Sequence, residues 1–291
     1  MNATLTEVAP AKLNLGLYVG EKRADGLHAI CSLFCPLTLA DEVTLEPAAS
    51  ADADEVVCPD VPEPNLAVRA LAGFRQRFGW DGPSVRLTID KRVPVAAGLG
   101  GGSADAAAAL RLAARASSIE PEALALRELA MSLGADVPSQ LEPRLQLVTG
   151  AGEQLEPLDA KLELYALLLT GEDGLSTADV YAHADAMFPA RSNLDELAAR
   201  LRAAVASLGG SALALGELLH NDLQGSAVTL EPAAGDALDL LRGTGARVAL
   251  VTGSGPTVFG LFESAADVEQ ARASIEPQWD GKLVAVEAGT G

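Results

Sequence analysis

The stretch Pro94-Val95-Ala96-Ala97-Gly98-Leu99-Gly100-Gly101-Gly102-Ser103-Ala104-Asp105-Ala106-Ala107 constrains the chain more than any other. Four of the five residues from Gly98 to Gly102 are glycine. Each glycine costs backbone entropy inside a strand or helix, so a loop is expected there. Ser103 to Ala116 is mostly alanine, the strongest helix former, so a helix is expected to follow at once. Ser103 stands near its N-terminus, where a hydroxyl can cap. The first N–H groups of a helix lack internal partners and carry partial positive charge. Glycines let an anion approach that backbone, which is the recipe for holding phosphate. A tight strand-to-helix turn with no ligand is the plainer alternative. No Gly-Lys-Ser/Thr closes the stretch, so it is not a Walker A loop, and Ser103 replaces the last glycine of a dinucleotide fingerprint.

Composition narrows the partners. The chain has 291 residues, is 49% hydrophobic and carries a formal net charge of −19. It can bury a sizeable core. The acidity argues against nucleic acid and against an anionic membrane surface. Cys31, Cys35 and Cys58 are too few and too badly spaced for a disulfide framework or a zinc site, so inert thiols are expected. Met1 to Pro10 has neither the basic start nor the apolar core of a targeting segment. A reduced, cytoplasmic protein is expected.

Lys12 to Val19 alternates as a strand. Leu13, Leu15, Leu17 and Val19 share one face, and Lys12, Asn14, Gly16 and Tyr18 the other. Lys12 and Asn14 therefore project together, either into solvent or toward something that Gly16 lets lie close. Arg23-Ala24-Asp25-Gly26-Leu27-His28 reads as a turn. Glu42 to Leu45 and Ser84 to Asp90 read as strands, Asp52 to Pro64 as a surface loop, and Leu66 to Phe78 as a helix capped by Asn65. Lys91 lies between a strand and the glycine loop, as a solvated strand end or as a cation for a phosphate or base.

Pro121 to Leu133 reads as a helix with Pro121 in its first turn and a left-handed stop at Gly134. Asp136 and Pro138 continue as a turn. Leu162 to Leu169 is a buried strand candidate, and Thr177 is an expected cap for the helix carrying Tyr181. Helices are expected over 194–208, 212–219, 233–242 and 265–275, and strands over 246–251, 257–262 and 283–287. This order suggests an α+β sandwich for the C-terminal part.

The glycine stretch resembles the central motif of the GHMP kinase superfamily, Pro-x-x-x-Gly-Leu-Gly-x-Gly-Ser-Ser-Ala, with Ala104-Asp105 in place of Ser-Ala. Pro10-Ala11-Lys12-Leu13-Asn14-Leu15 resembles the opening motif, and Thr252-Gly253-Ser254-Gly255-Pro256-Thr257 carries the third. Within the superfamily, Arg23 to His28 and Gly134-Ala135-Asp136-Val137-Pro138 are most similar to a kinase whose acceptor is linked to cytidine diphosphate. Leu27 stands where that kinase has a tyrosine, and Ser139-Gln140 where aromatic residues are usual.

The resemblance implies a two-lobed α+β fold: an S5-like N-terminal lobe over 1–150 and a ferredoxin-like C-terminal lobe over 151–291. It implies an ATP- and Mg²⁺-dependent kinase of isoprenoid precursor synthesis acting on a small cytidine-diphosphate substrate. Lys12 and Asp136 would be catalytic, Asp136 as the base and Lys12 stabilising the transferring charge. Asn65, Lys91, Pro94, Gly98, Leu99, Gly100, Gly101, Gly102, Ser103 and Ala104 would hold ATP. Asn14, Leu27, His28, Asp136, Thr177 and Tyr181 would hold the acceptor, with His28 on the polar edge of cytosine and Tyr181 and Leu27 as its walls. No protein ligand of Mg²⁺ is named, and the oligomeric state is not read from the sequence. The alternatives are another kinase of the superfamily, acting on mevalonate, homoserine or a sugar, and a non-catalytic ligand sensor on the same fold.

Overall fold

The computed structural model describes residues 4–49, 53–59, 61, 65–171, 174–207 and 209–289. In chain order the first elements are β1 (Leu5–Lys22), β2 (His28–Pro47), β3 (Glu55–Val57), α1 (Leu66–Phe78), β4 (Val85–Asp90), α2 (Gly101–Ser117) and α3 (Ala123–Leu133). Then come β5 (Gln146–Gly150), β6 (Gln154–Pro157), β7 (Tyr165–Thr170), α4 (Thr177–Met187), α5 (Leu194–Ser207), β8 (His220–Asn221) and α6 (Gln224–Leu230). The chain ends with α7 (Pro232–Gly243), β9 (Val248–Val251), β10 (Val258–Phe262), α8 (Ala265–Ile275) and β11 (Lys282–Glu287).

The chain forms two units interleaved in sequence. Unit 1 comprises 1–11, 39–95 and 100–143, and unit 2 comprises 12–38, 96–99 and 144–291. Neither has the single boundary at residue 150 that divides the two expected lobes.

In unit 1, β4 runs antiparallel to the end of β2, with Val43 opposite Ile89, and parallel to β3, with Leu87 opposite Val56. Val43, Leu87 and Ile89 share a core with Leu71 and Phe74 of α1 and with Ala104, Ala106 to Ala109 and Leu110 of α2. The run of alanines explains how α2 is buried nearly all round. Small side chains let neighbouring elements approach the helix while helix propensity stays high.

In unit 2, the start of β2 pairs with β5, which turns back as β6. Strand β1 is parallel to β8, with Gly16 opposite His220. A separate antiparallel sheet has the order β11-β7-β10-β9, and α7 and α8 share its core through Leu238, Leu241, Val268 and Ile275. The three cysteines are free thiols. Burial pushes Cys31 up to about 11 and Cys35 up to about 12, as inert thiols require.

Several local expectations are corrected. Helix α2 starts at Gly101, not Ser103, and its cap Gly100 makes no side-chain bond. A Cβ on Gly101 would lie 2.9 Å from Val93 Cγ1, so close packing offsets the entropy cost of glycine in a first turn. Pro121 precedes α3, and Gly134 is extended (φ 171°, ψ 155°), not left-handed. Residues 212–218 form 3₁₀ turns broken at Gly216, where φ is 54° and ψ −123°. The expected loop over 52–64 contains β3, and residues 52, 60 and 62–64 of that expectation lie outside those described. The short α6 has no sequence signal of its own.

Candidate active site

Lys12 sits in β1 and is only 5% exposed, so a solvated face is excluded. Its Nζ donates to Asn14 Oδ1 at 2.6 Å and to the Gly98 carbonyl at 3.3 Å, and it lies 4.9 Å from the Phe34 ring centroid. Asn14 is oriented in turn. Its Nδ2 donates to Ser32 Oγ at 2.9 Å, and its backbone N–H donates to Thr252 Oγ1 at 3.2 Å. What lies close to Gly16 is the chain itself, since a Cβ there would be 2.9 Å from the Leu218 carbonyl.

Two glycine segments meet beside this lysine. A Cβ on Gly253 would be 3.1 Å from the Gly98 carbonyl, 3.3 Å from Asn14 Oδ1 and 3.5 Å from Lys12 Nζ. A Cβ on Gly98 would strike the Thr252 carbonyl at 2.6 Å. Asn221 holds the far turn by donating to the Val251 and Gly253 carbonyls at 2.7 and 2.8 Å. Thus Lys12 and Asn14 of the opening motif, Gly98 of the central motif, and Thr252 and Gly253 of the third converge within unit 2. The loop takes positive φ at Ala96 (54°), Gly98 (76°) and Gly100 (73°), a conformation that glycine adopts without strain. Ala96 is a non-glycine in the left-handed region, an uncommon state for such a residue.

The other ATP candidates gather in unit 1 around the start of α2. Ala104 N–H donates to the Gly100 carbonyl at 2.9 Å, and Ser103 lies half-buried in the first turn. A Cβ on Gly101 would be 3.4 Å from Lys91 Nζ, and one on exposed Gly102 would be 4.0 Å from Leu66 Cδ1. The preceding residue, Asn65, caps α1 by accepting from Ala67 N–H at 2.8 Å. Pro94 is half-buried between Val93 and the loop.

Lys91 is no solvated strand end. Its Nζ donates to Asp41 Oδ2 at 2.5 Å and to Asp105 Oδ2 at 2.8 Å. Asp41 also accepts from the N–H groups of Arg92 and Val93, at 2.6 and 2.8 Å. Burial opposes the charge of Lys91, but Asp105 and Asp41 outweigh it and raise its pKa above the ordinary value. Burial pushes Asp105 up to about 7 against the pull of Lys91, and its Oδ1 is buried without a hydrogen-bond partner. The sequence does not single out Asp41, which hides in an acidic run. Asp105 stands out there only as a departure from the motif, although a carboxylate among buried alanines is itself a signal.

Asp136 is a half-buried turn residue of unit 1. Its carbonyl accepts from Ser139 Oγ at 2.7 Å, and Arg111 of α2 holds the same turn through the Gln140 carbonyl at 2.6 Å. Small and polar Ser139-Gln140 are buried there, at 2% and 3% exposure.

The acceptor candidates lie in unit 2. Asp25 Oδ1 accepts from Leu27 N–H at 3.0 Å, and Gly26 takes φ 86°, so the turn is an Asx type that presents Leu27 at 46% exposure. Arg23 pins it to Glu153 at 2.5 Å. His28 follows, 9% exposed, stacked on Tyr181 with centroids 5.0 Å apart. Its Nε2 lies 2.8 Å from Asp185 Oδ1. Ser176, not Thr177, caps α4. The Thr177 hydroxyl instead lies 2.9 Å from Ser254 Oγ in the third motif.

Among the described residues no group of three or more His, Cys, Asp or Glu could hold a metal ion, and no helix is long and apolar enough to cross a membrane. The model of the GHMP kinases N-terminal domain matches residues 65–141, and that of the GHMP kinases C-terminal domain matches 191–280. A 4-diphosphocytidyl-2-C-methyl-D-erythritol kinase of Anaeromyxobacter dehalogenans (strain 2CP-C) is 40% identical over 97% of this chain and 88% of its own. The enzyme of that name from Paracoccus denitrificans (strain Pd 1222) is 41% identical over 94% of this chain and 93% of its own. A crystal structure of 4-(cytidine 5'-diphospho)-2C-methyl-D-erythritol kinase matches with a TM-score of 0.80 and 34% identity, over 99% of this chain and 100% of that one. A homoserine kinase from Cytophaga hutchinsonii shares the fold, with a TM-score of 0.73 and 16% identity.

Proposed function

The chain belongs to the GHMP kinases, among the relatives named 4-diphosphocytidyl-2-C-methyl-D-erythritol kinase, and from that premise we infer what it does. It transfers a phosphoryl group from ATP to a hydroxyl of 4-diphosphocytidyl-2-C-methyl-D-erythritol, a step of isoprenoid precursor synthesis outside the mevalonate route. The observation that carries the site is the meeting of Asn14, Gly98 and Gly253 around Lys12 Nζ.

Phosphoryl transfer asks a protein mainly for positioning and charge stabilisation. Two features support the glycine stretch as the ATP site: Gly102 is exposed, with Leu66 Cδ1 4.0 Å from where a Cβ would stand, and the first turn of α2 has N–H groups with no partner inside the helix. Gly98 to Ala104 cradle the phosphates, Pro94 shapes the entry to the loop, and Asn65 and Lys91 face the rest of the nucleotide. When bound, ATP supplies the transferable phosphoryl group, with Mg²⁺ screening its charge. Asp136 accepts the proton of the attacking hydroxyl. Lys12 stabilises the charge that develops on the transferring group, and Asn14 fixes the ammonium by its 2.6 Å bond. Leu27, His28 and Tyr181 hold cytosine, and Thr177 the remainder of the acceptor. The lobes 1–150 and 151–291 each contain one matched domain and remain our division of the chain. The protein works in the cytoplasm without nucleic acid, a reading supported by its free thiols and its charge of −19.

The test is an ADP-release assay with the cytidine diphosphate compound, mevalonate, homoserine and a sugar offered separately. Turnover confined to the cytidine compound is expected. Turnover with mevalonate or homoserine and none with the cytidine compound would overturn the assignment.

A further inference from the structure

Tyr181 and Asp185 stand four residues apart on α4, so they leave the helix on one face. Both engage the ring of His28. Tyr181 lies against it, centroids 5.0 Å apart and planes 26° apart, while Asp185 Oδ1 is 2.8 Å from Nε2. The backbone before His28 is pinned as well, by the Asp25 turn and the Arg23–Glu153 pair. The imidazole is therefore held in plane, in rotation and at one nitrogen.

The chemistry of that nitrogen decides the other. An ionised carboxylate only accepts, so Nε2 carries the proton shared with Asp185. In a neutral imidazole the remaining nitrogen, Nδ1, is then an acceptor. Cytosine carries an exocyclic amino donor where uracil carries a carbonyl acceptor. An acceptor at Nδ1 suits the first and repels the second.

We propose that Asp185 is a positioning residue that locks His28 as its Nε2–H tautomer and so makes the site select a cytidine over a uridine diphosphate acceptor. The proposal rests on the reading of His28 as the cytosine-facing residue. The selectivity comes from leaving a uracil carbonyl facing a lone pair, a repulsive element as much as an attractive one.

The experiment compares the full-length wild type with Asp185→Ala, Asp185→Glu and His28→Ala. The Asp185 side chain is 44% exposed, so its replacement leaves no buried charge behind. Steady-state kinetics use the cytidine substrate and its uridine analogue at saturating ATP, and nitrogen–proton correlation spectra read the His28 tautomer. The chain has three histidines, so the His28 signals are assigned by their loss in His28→Ala. Asp185→Ala is expected to raise the cytidine KM about three- to tenfold, the worth of one hydrogen bond. The effect on kcat is smaller, and the cytidine-to-uridine preference falls by a similar factor. The His28 spectrum should move from Nε2–H to a tautomer mixture, and Asp185→Glu should recover part of each change. An unchanged preference and tautomer in Asp185→Ala, even with a lower Tm, would make Asp185 structural only and overturn the proposal. If His28→Ala raises the cytidine KM while Asp185→Ala does not, this inference alone fails. If His28→Ala leaves that KM unchanged, the cytidine reading beneath it fails too.

Discussion

Lys91 in unit 1 and His28 in unit 2 are both basic side chains held from two sides, and by different materials. Lys91 is held by Asp41 and Asp105, which are 1% and 2% exposed. His28 is held by a ring and by a carboxylate whose side chain is 44% exposed. Buried ion pairs carry a large desolvation cost, so removing one partner strands the other. Asp185 is solvated whenever its contact with His28 opens, so loss of that contact is mild. Substitution in the Lys91 cluster is therefore expected to cost the fold more than substitution beside His28.

The largest expected effect lies outside both clusters and checks that neither does the chemistry. Asp136→Asn should lower kcat by about 10²–10⁴-fold, the usual worth of a general base. Calorimetric titration should find ATP and acceptor binding nearly intact. Turnover close to wild type in this variant would remove Asp136 from the mechanism.

Next is the buried cluster. Asp41→Ala leaves Lys91 one carboxylate short and frees the N–H groups of Arg92 and Val93. A cost of about 3–5 kcal/mol is expected, as for other broken buried pairs. The measurement is a denaturation midpoint, which should fall by about 10 °C for a chain of this size. A drop no larger than that of an exposed-pair variant such as Glu156→Ala would erase the contrast between the two clusters.

The acceptor side should respond more gently and in either direction. Leu27→Tyr should tighten the cytidine substrate by up to about tenfold, since stacking on a base is worth about 1–3 kcal/mol and 1.4 kcal/mol is a factor of ten. Tyr181→Ala should weaken it by more, because both the wall and the support of His28 go. ATP affinity should stay constant in each. Acceptor affinity unchanged in Tyr181→Ala would make Tyr181 a packing residue.

The last expected effect is a pH dependence. The carboxyl of Asp105 is raised to about 7 by burial, above its value in the unfolded chain. The folded state then binds the extra proton, so this contribution to stability is complete below about pH 4 and is lost as pH rises through about 7. In Asp105→Asn the loss is absent. Its Tm relative to wild type should therefore rise between pH 5 and pH 8, by about 2–4 °C for each kcal/mol. A difference in Tm that is flat across that range would place the Asp105 titration elsewhere.

Much of the fold and of the site is legible in the order of residues alone. Asn65 and Leu66 to Phe78 read as cap and helix because capping and periodicity are local. The motif segments around Lys12, Gly98 and Gly253 are recognisable because each needs particular residue types at short spacing. The start of α2 is misplaced by propensity because the reason for Gly101 is Val93, eight positions earlier, and not the glycine itself. Thr177 looks like a cap in sequence, but its hydroxyl finds Ser254 across the fold.

The sequence by itself determined the family, the alanine-rich packing helix, the acidic character and the residue types available for catalysis. These depend on side-chain chemistry and short-range spacing, which a linear chain displays. Only the tertiary structure decided the partners of those residues. It buried both faces of β1, turned Lys91 from a strand end into the centre of an ion-pair cluster, and set Tyr181 and Asp185 on the ring of His28. Charge state, tautomer and exposure follow from which groups meet after the chain has folded, and residues 157 positions apart carry no mark of that meeting in their order.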